Sequence, residues 1–268
     1  MIIKIFILGI RRDFRGSDLH DLLFNAGLNV EIVFGADAQL GLPFDYTKCQ
    51  KKSHFYYGRE LSPGEHACTY GHSLMIKKAF ISECDLAVFL EDDVIITNVK
   101  KFIELIKTLD TTQKNLFTFY QNNKSFLNYG FVKGSKFPLR NYCIPISTVA
   151  YAITKPALRS IQKFENDSQW LGFQADFPLY YADDISFFIA SHNTFVLHDS
   201  ESLIGARGTH ADLDNSRLAR IIGTYSTYYW FRFGKFHSSL KAYVMFFHGR
   251  KIAKILFKLK NWKVLQLA

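Results

Sequence analysis

Three consecutive acids, Glu91-Asp92-Asp93, stand directly behind an uninterrupted apolar run, Leu86-Ala-Val-Phe-Leu90. Such a run is expected of a central strand covered on both faces, and ligands of open α/β sheets bind beyond the carboxyl ends of strands. Adjacent carboxylates repel one another, and a cation relieves that repulsion. Side chains alternate along an extended chain, so Glu91 and Asp93 are expected to face one way and Asp92 the other. Two oxygen ligands on one side, completed by diphosphate oxygens, describe a Mg²⁺ or Mn²⁺ site serving a nucleotide diphosphate. A solvated strand-end loop, acidic for solubility, is the competing explanation.

A second set of groups lies upstream. Ser62-Pro63-Gly64-Glu65 combines a cap, a proline at the first helical position and an acid in the first turn, which predicts a helix running to about Ile81. On it Glu65, Thr69 and His72 fall at i, i+4 and i+7, one face. A carboxylate in a first turn is also favoured by the helix dipole alone, and a lone histidine on a half-buried helix serves as well in a hydrogen-bonded core.

The elements that would hold these groups follow from periodicity. Strand-like runs recur at 3–8, 30–34, 86–90, 116–120, 148–153 and 194–197. Between them, Ser17-Asp18 caps a helix with apolar Leu19, Leu22 and Leu23, and further helices are predicted over 99–109 and 156–164. Alternating strands and helices predict an α/β domain with a largely parallel sheet. Segments 35–57 and 121–142 read as loop-rich.

The chain has 268 residues and a net charge of +9, and that charge is unevenly spread. Eleven of the 33 Lys/Arg and none of the 24 Asp/Glu lie from Arg217 onward, so the first 216 residues carry a net −2. A nearly neutral body argues against nucleic acid as a partner, and the basic end points to an anionic surface. In that end Ile252, Ile255, Leu256, Leu259 and Trp262 line one helical face and Lys251, Lys254 and Lys258 another, as in a helix lying in a membrane interface. The organisation expected is therefore a catalytic domain over 1–215 and a membrane-associating region over 216–268. Cys49, Cys68, Cys84 and Cys143 lie far apart with no C-x-x-C pair, so neither a zinc site nor a disulfide framework is expected of them, which fits a reducing compartment. The apolar start precedes Arg11-Arg12 instead of following a basic cluster, so a buried strand is expected there and not a signal peptide. No apolar run reaches ~18 residues. A cytoplasmic protein, attached peripherally to the inner face of the cytoplasmic membrane, is the expectation.

Taken together, two segments resemble glycosyltransferase family 25, which includes lipopolysaccharide and lipooligosaccharide galactosyltransferases. They are Glu60-Leu-Ser-Pro-Gly-Glu65-His-Ala-Cys68-Thr-Tyr-Gly71-His72 and Val88-Phe-Leu-Glu91-Asp92-Asp93-Val94. Phe34-Gly-Ala36-Asp37-Ala38, the stretch from Ser147 to Ala157, Tyr181-Ala182-Asp183-Asp184 and His198-Asp199-Ser-Glu-Ser202 agree with it, so the resemblance covers roughly residues 2–210. Gly71 replaces the family's usual serine, and Leu8-Gly9 lacks its usual polar residue after the first strand.

The resemblance implies a Rossmann-like nucleotide-sugar domain of the GT-A type and inversion at the anomeric carbon. UDP-galactose is the family's commonest donor, and a lipid-linked glycan is the implied acceptor. Glu91 and Asp93 would hold the cation, with His198 completing its shell. Asp183 is the candidate general base, with Asp184 and Asp176 behind it; Glu65 and His72 join the catalytic set. Asp92, Asp37, Arg11, Thr148 and Tyr151 are the donor-binding candidates. Clustered acids at a strand end also serve phosphohydrolases and nucleotidyltransferases, and a non-catalytic membrane adaptor would use the basic end alone.

Overall fold

The computed structural model describes residues 1–50, 60–120, 128–131, 139–142, 148–168, 175, 185–190 and 195–197. Glu60 apart, they belong to one compact unit formed by Met1–Gln50 and Leu61–Gly208. Its strands are β1 (Ile3–Gly9), β2 (Asn29–Phe34), β3 (Leu86–Glu91), β4 (Val94–Ile96), β5 (Asn115–Thr118), β6 (Asn128–Phe131), β7 (Leu139–Tyr142), β8 (Ala150–Thr154), β9 (Ser186–Ala190) and β10 (Phe195–Leu197). The helices are α1 (Ser17–Asn25), α2 (Pro63–Ile81), α3 (Val99–Lys107) and α4 (Lys155–Ser168), and a 3₁₀ turn spans Arg11–Asp13.

Among the described residues, eight strands form one sheet in the order β2-β1-β3-β8-β5-β9-β7-β6, and β10 pairs with β4 in a separate ribbon. β1 is parallel to both β2 and β3, as a chain alternating strand and helix requires. β8 enters antiparallel between β3 and β5, and β7 is antiparallel to β9 and β6. The sheet is thus a parallel, Rossmann-like half continued by a mixed half, where a largely parallel sheet was expected. The difference lies in β6 and β7, inside a segment whose composition reads as loop, and in the direction of β8, which strand periodicity does not encode.

Alternation along the buried strands divides the core in two. Phe6, Leu8, Ala87, Phe89 and Tyr151 pack with Met75, Ile76 and Ala79 of α2 and Leu158 and Ile161 of α4. Ile5, Ile7, Leu86, Val88 and Leu90 pack with Leu19 and Leu23 of α1 and Phe102 and Ile106 of α3. A helix layer on each face explains the unbroken apolar run of β3, every residue of which from Leu86 to Leu90 is buried. α2 starts where its sequence says: Ser62 Oγ accepts from the Glu65 N–H at 3.2 Å, and Glu65 Oε2 accepts from the Ser62 N–H at 2.9 Å. This is a reciprocal capping box. The α1 cap differs, because Gly16 holds that position and no side chain caps it. No helix among the described residues is long and apolar enough to cross a membrane.

Candidate functional site

The carboxyl ends of β1, β2 and β3 lie side by side, with Gly9 in register with Phe34 and Leu8 with Glu91. The segments leaving them converge with the first turns of α2 on one pocket, lined by Gly9, Arg15, Gly35, Ala36, Gly64, Cys68, Glu91, Asp92 and Asp93 among others. All three acids face it, which corrects the expected division between Asp92 and its neighbours. β3 ends at Glu91, and Asp92-Asp93 form the turn into β4, so strand alternation no longer applies where the acids lie.

Burial and mutual repulsion set their electrostatics. Desolvation, and then the charge of Glu91, push Asp93 up to about 6. Its Oδ1 is buried without a hydrogen-bond partner. Asp92 is also raised by burial, against the opposing pull of Arg15. Asp92 Oδ2 accepts from the Arg15 N–H at 3.1 Å, and the Arg15 guanidinium lies 3.9 Å from Oδ1. An unpartnered carboxylate oxygen beside two further carboxylates is an arrangement whose repulsion a hard divalent cation would relieve.

Glu91 is held from two sides. Thr148, just before β8, donates to its Oε1 at 3.2 Å. His72 places Nε2 at 3.3 Å from the same oxygen and Nδ1 at 2.9 Å from the Tyr151 hydroxyl. His72 and Tyr151 are fully buried, because α2 lies over the face of β3 and β8 to which Tyr151 points. Burial pushes the Tyr151 phenol well above its usual range, so it stays neutral and can donate or accept.

The other sequence candidates fall as follows. The Glu65 carboxylate closes the capping box. Asp37 accepts from the Gln39 N–H at 2.9 Å and lies 3.3 Å from Arg12, while Ala36 and Ala38 on either side of it line the pocket. The Arg11 guanidinium lies 4.8 Å over the Phe34 ring, and neither residue is among those lining the pocket. Asp183, Asp184, Asp176, His198 and the basic end lie outside the described residues. Two groups that the motif reading left without a role, Arg15 and Cys68, line the pocket. Cys68 was detectable as the i, i+4 partner of His72; Arg15 meets Asp92 across 77 residues, with no local signal.

The two departures from the family pattern touch one another. A Cβ on Gly71 would sit 2.8 Å from Leu8 Cδ1. The larger residue on β1 therefore occupies the space that a side chain at position 71 would need.

The family model for glycosyltransferase family 25 (LPS biosynthesis protein) matches residues 5–176. No curated protein matches the sequence. Similar solved structures include A197 from STIV (10% identity, TM-score 0.39, covering 79% of this chain and 100% of that one). A glycosyltransferase involved in glycosylation of the major capsid of PBCV-1 has 13% identity and a TM-score of 0.32, covering 63% and 69%. The galactosyltransferase LgtC, in complex with donor and acceptor sugar analogs, has 10% identity and a TM-score of 0.35, covering 69% and 72%. At such scores these likenesses carry no functional weight; the family match does.

Proposed function

The chain belongs to glycosyltransferase family 25, the lipopolysaccharide-biosynthesis glycosyltransferases, and on that premise we propose that it transfers a hexose from a UDP-sugar, with inversion, onto a lipid-linked glycan. UDP-galactose is the favoured donor. The observation that carries this reading is the pocket at the carboxyl edge of β1–β3, where Glu91, Asp92 and Asp93 meet glycine and alanine walls. Small residues let the backbone approach a diphosphate, and the acids suit its counter-ion. A Mg²⁺ or Mn²⁺ ion on Glu91 and Asp93 would supply Lewis-acid neutralisation of the leaving diphosphate. Arg15, held by Asp92, supplies the nearby fixed positive charge. Thr148 and the buried His72–Tyr151 pair fix the orientation of Glu91. Asp183 is assigned the removal of the acceptor proton, from the face opposite the leaving group, as inversion demands.

The body, 1–215, is proposed to bind donor and acceptor, and the region from 216 to bring the enzyme to an anionic, inner-membrane surface. A panel of UDP-sugars with and without Mn²⁺ tests the reading. A true donor should raise the melting temperature by mass action, and only with the ion present, and should yield a glycosylated acceptor. Release of phosphate or diphosphate with no sugar transferred would instead identify a hydrolase or nucleotidyltransferase.

A further inference from the structure

At the wall of the proposed diphosphate pocket, Cys68, His72 and Glu91 bring one sulfur, one imidazole nitrogen and one carboxylate oxygen within 4.8 Å of one another. We infer that these three side chains form a site for a thiophilic divalent cation of the zinc class, which shares Glu91 with the hard-cation site proposed on Glu91 and Asp93 and differs from it in ligand chemistry. The ligand set decides the class: thiolate and imidazole favour Zn²⁺, whereas Mg²⁺ and Ca²⁺ take oxygen. Three protein ligands leave a fourth position for water or a ligand atom, and Cys68 and Glu91 both line the pocket.

Geometry supports the assignment. Cys68 and His72 stand four residues apart on α2, hence on one face, and β3 delivers Glu91 to that face. His72 Nε2 and Glu91 Oε1 are 3.3 Å apart, longer than the ~2.7–2.9 Å usual for a charge-assisted hydrogen bond. Ligands held at about 2.0–2.2 Å from a tetrahedral ion are separated by about 3.4 Å, so this pair already spans one edge of the tetrahedron.

Supporting hydrogen bonds are also in place. A ligating histidine needs its other nitrogen fixed by a partner, and Tyr151 occupies that position at 2.9 Å. Without the ion, these two distances suit the tautomer in which Nε2–H faces Glu91 and the Tyr151 hydroxyl donates to Nδ1. With it, the ring proton resides on Nδ1, the neutral Tyr151 oxygen accepts it, and Nε2 offers its lone pair. Thr148 keeps its bond to Glu91 in both states. Loading releases one proton, that of the Cys68 thiol.

The site requires no sugar donor, so its test is independent of the transferase reading. Co²⁺ is titrated into the full chain, stripped of metal and reduced, and the near-ultraviolet thiolate-to-cobalt charge-transfer band is followed. One equivalent should generate the band, Zn²⁺ should abolish it, and millimolar Mg²⁺ should leave it. Cys68→Ser should lose the band and His72→Gln should weaken Co²⁺ binding at least tenfold, since losing even a hydrogen-bond partner of a metal ligand typically costs roughly 10–100-fold in affinity. Because either variant could unfold, the unmutated chain supplies a second measurement: Zn²⁺ should slow alkylation of Cys68, located by peptide mass spectrometry, at least tenfold. No charge-transfer band, a band that survives in folded Cys68→Ser, or Cys68 alkylation indifferent to Zn²⁺ overturns the assignment.

Discussion

Asp92 anchors Arg15 at the mouth of the pocket, accepting from its backbone N–H at 3.1 Å with the guanidinium 3.9 Å away. This contact ties the segment after β1 to the turn after β3, both of which border the pocket. Hydrogen bonds to a buried carboxylate are worth about 1.5–3 kcal/mol. Asp92→Ala should lower stability by about that amount and weaken donor binding. Asp92→Asn keeps an acceptor for the N–H and should recover most of the stability but less of the donor affinity. Denaturant melts and donor titrations of the two variants check this; equal stability of Asp92→Ala and the parent would remove the anchor.

Asp93 provides a pH signature. Its folded value, raised to about 6 from an ordinary 3.8, means that the native state holds the proton more tightly than the unfolded chain. The associated stability is fully present below pH ~4 and is lost as the pH rises through about 6. The whole shift corresponds to about 3 kcal/mol, and screening where the carboxylate opens on the pocket reduces this to about 1–2 kcal/mol. In EDTA, Asp93→Asn should therefore be more stable than the parent at pH 7.5 and indistinguishable from it at pH 4. Mn²⁺ should stabilise the parent at pH 7.5 and not the variant, and the variant should lose transfer. Undiminished turnover of Asp93→Asn in EDTA excludes the metal role of this carboxylate.

Local physics made part of this site legible in the sequence. The capping box is written in four residues, so α2 could be bounded from Ser62 to Ile81. The buried strand ending in acids located the sheet edge that matters. What could not be read depends on contacts across the chain. Glu91 is held by His72, 19 residues away, and Thr148, 57 residues away, and Arg15 meets Asp92 across 77. The turn at Asp92-Asp93 redirected side chains that alternation would have split. The Gly71–Leu8 complementarity is visible in sequence only as two unrelated departures.

That complementarity predicts non-additivity. Gly71→Ser forces a side chain against Leu8 and should cost about 1–3 kcal/mol, the usual range for overpacking. Leu8→Ala opens a cavity and should cost about 2–5 kcal/mol. Combined, they should cost less than the sum by at least ~0.5 kcal/mol, because each relieves the other. A double-mutant cycle in urea measures the coupling, and strict additivity would show that the two positions do not share this space.

Glu65 separates a structural role from a chemical one. Its carboxylate accepts from the Ser62 N–H, and glutamine serves equally at that position of a capping box. Glu65→Gln should retain stability within about 0.5 kcal/mol, while Glu65→Ala should lose about 1 kcal/mol. If the cap is its whole task, Glu65→Gln keeps kcat. A fall of about 10²-fold or more with stability intact would restore it to the catalytic set.

The basic end carries the last prediction, argued from its sequence. From Arg217 onward, eleven cationic and no anionic side chains should draw the chain onto vesicles containing anionic lipid, with affinity falling as salt rises, since the attraction is screened beyond about 10 Å at ~0.1 M. Each lysine near the surface contributes about 1 kcal/mol. Reversing Lys251, Lys254 and Lys258 to Glu should therefore nearly eliminate binding in sedimentation assays. The family match ends at residue 176, well before this segment, so a chain ending at Gly249 should still glycosylate a small soluble acceptor and lose activity on acceptor embedded in vesicles. Equal activity of the shortened and full chains on embedded acceptor would assign this segment to the fold or to a different partner.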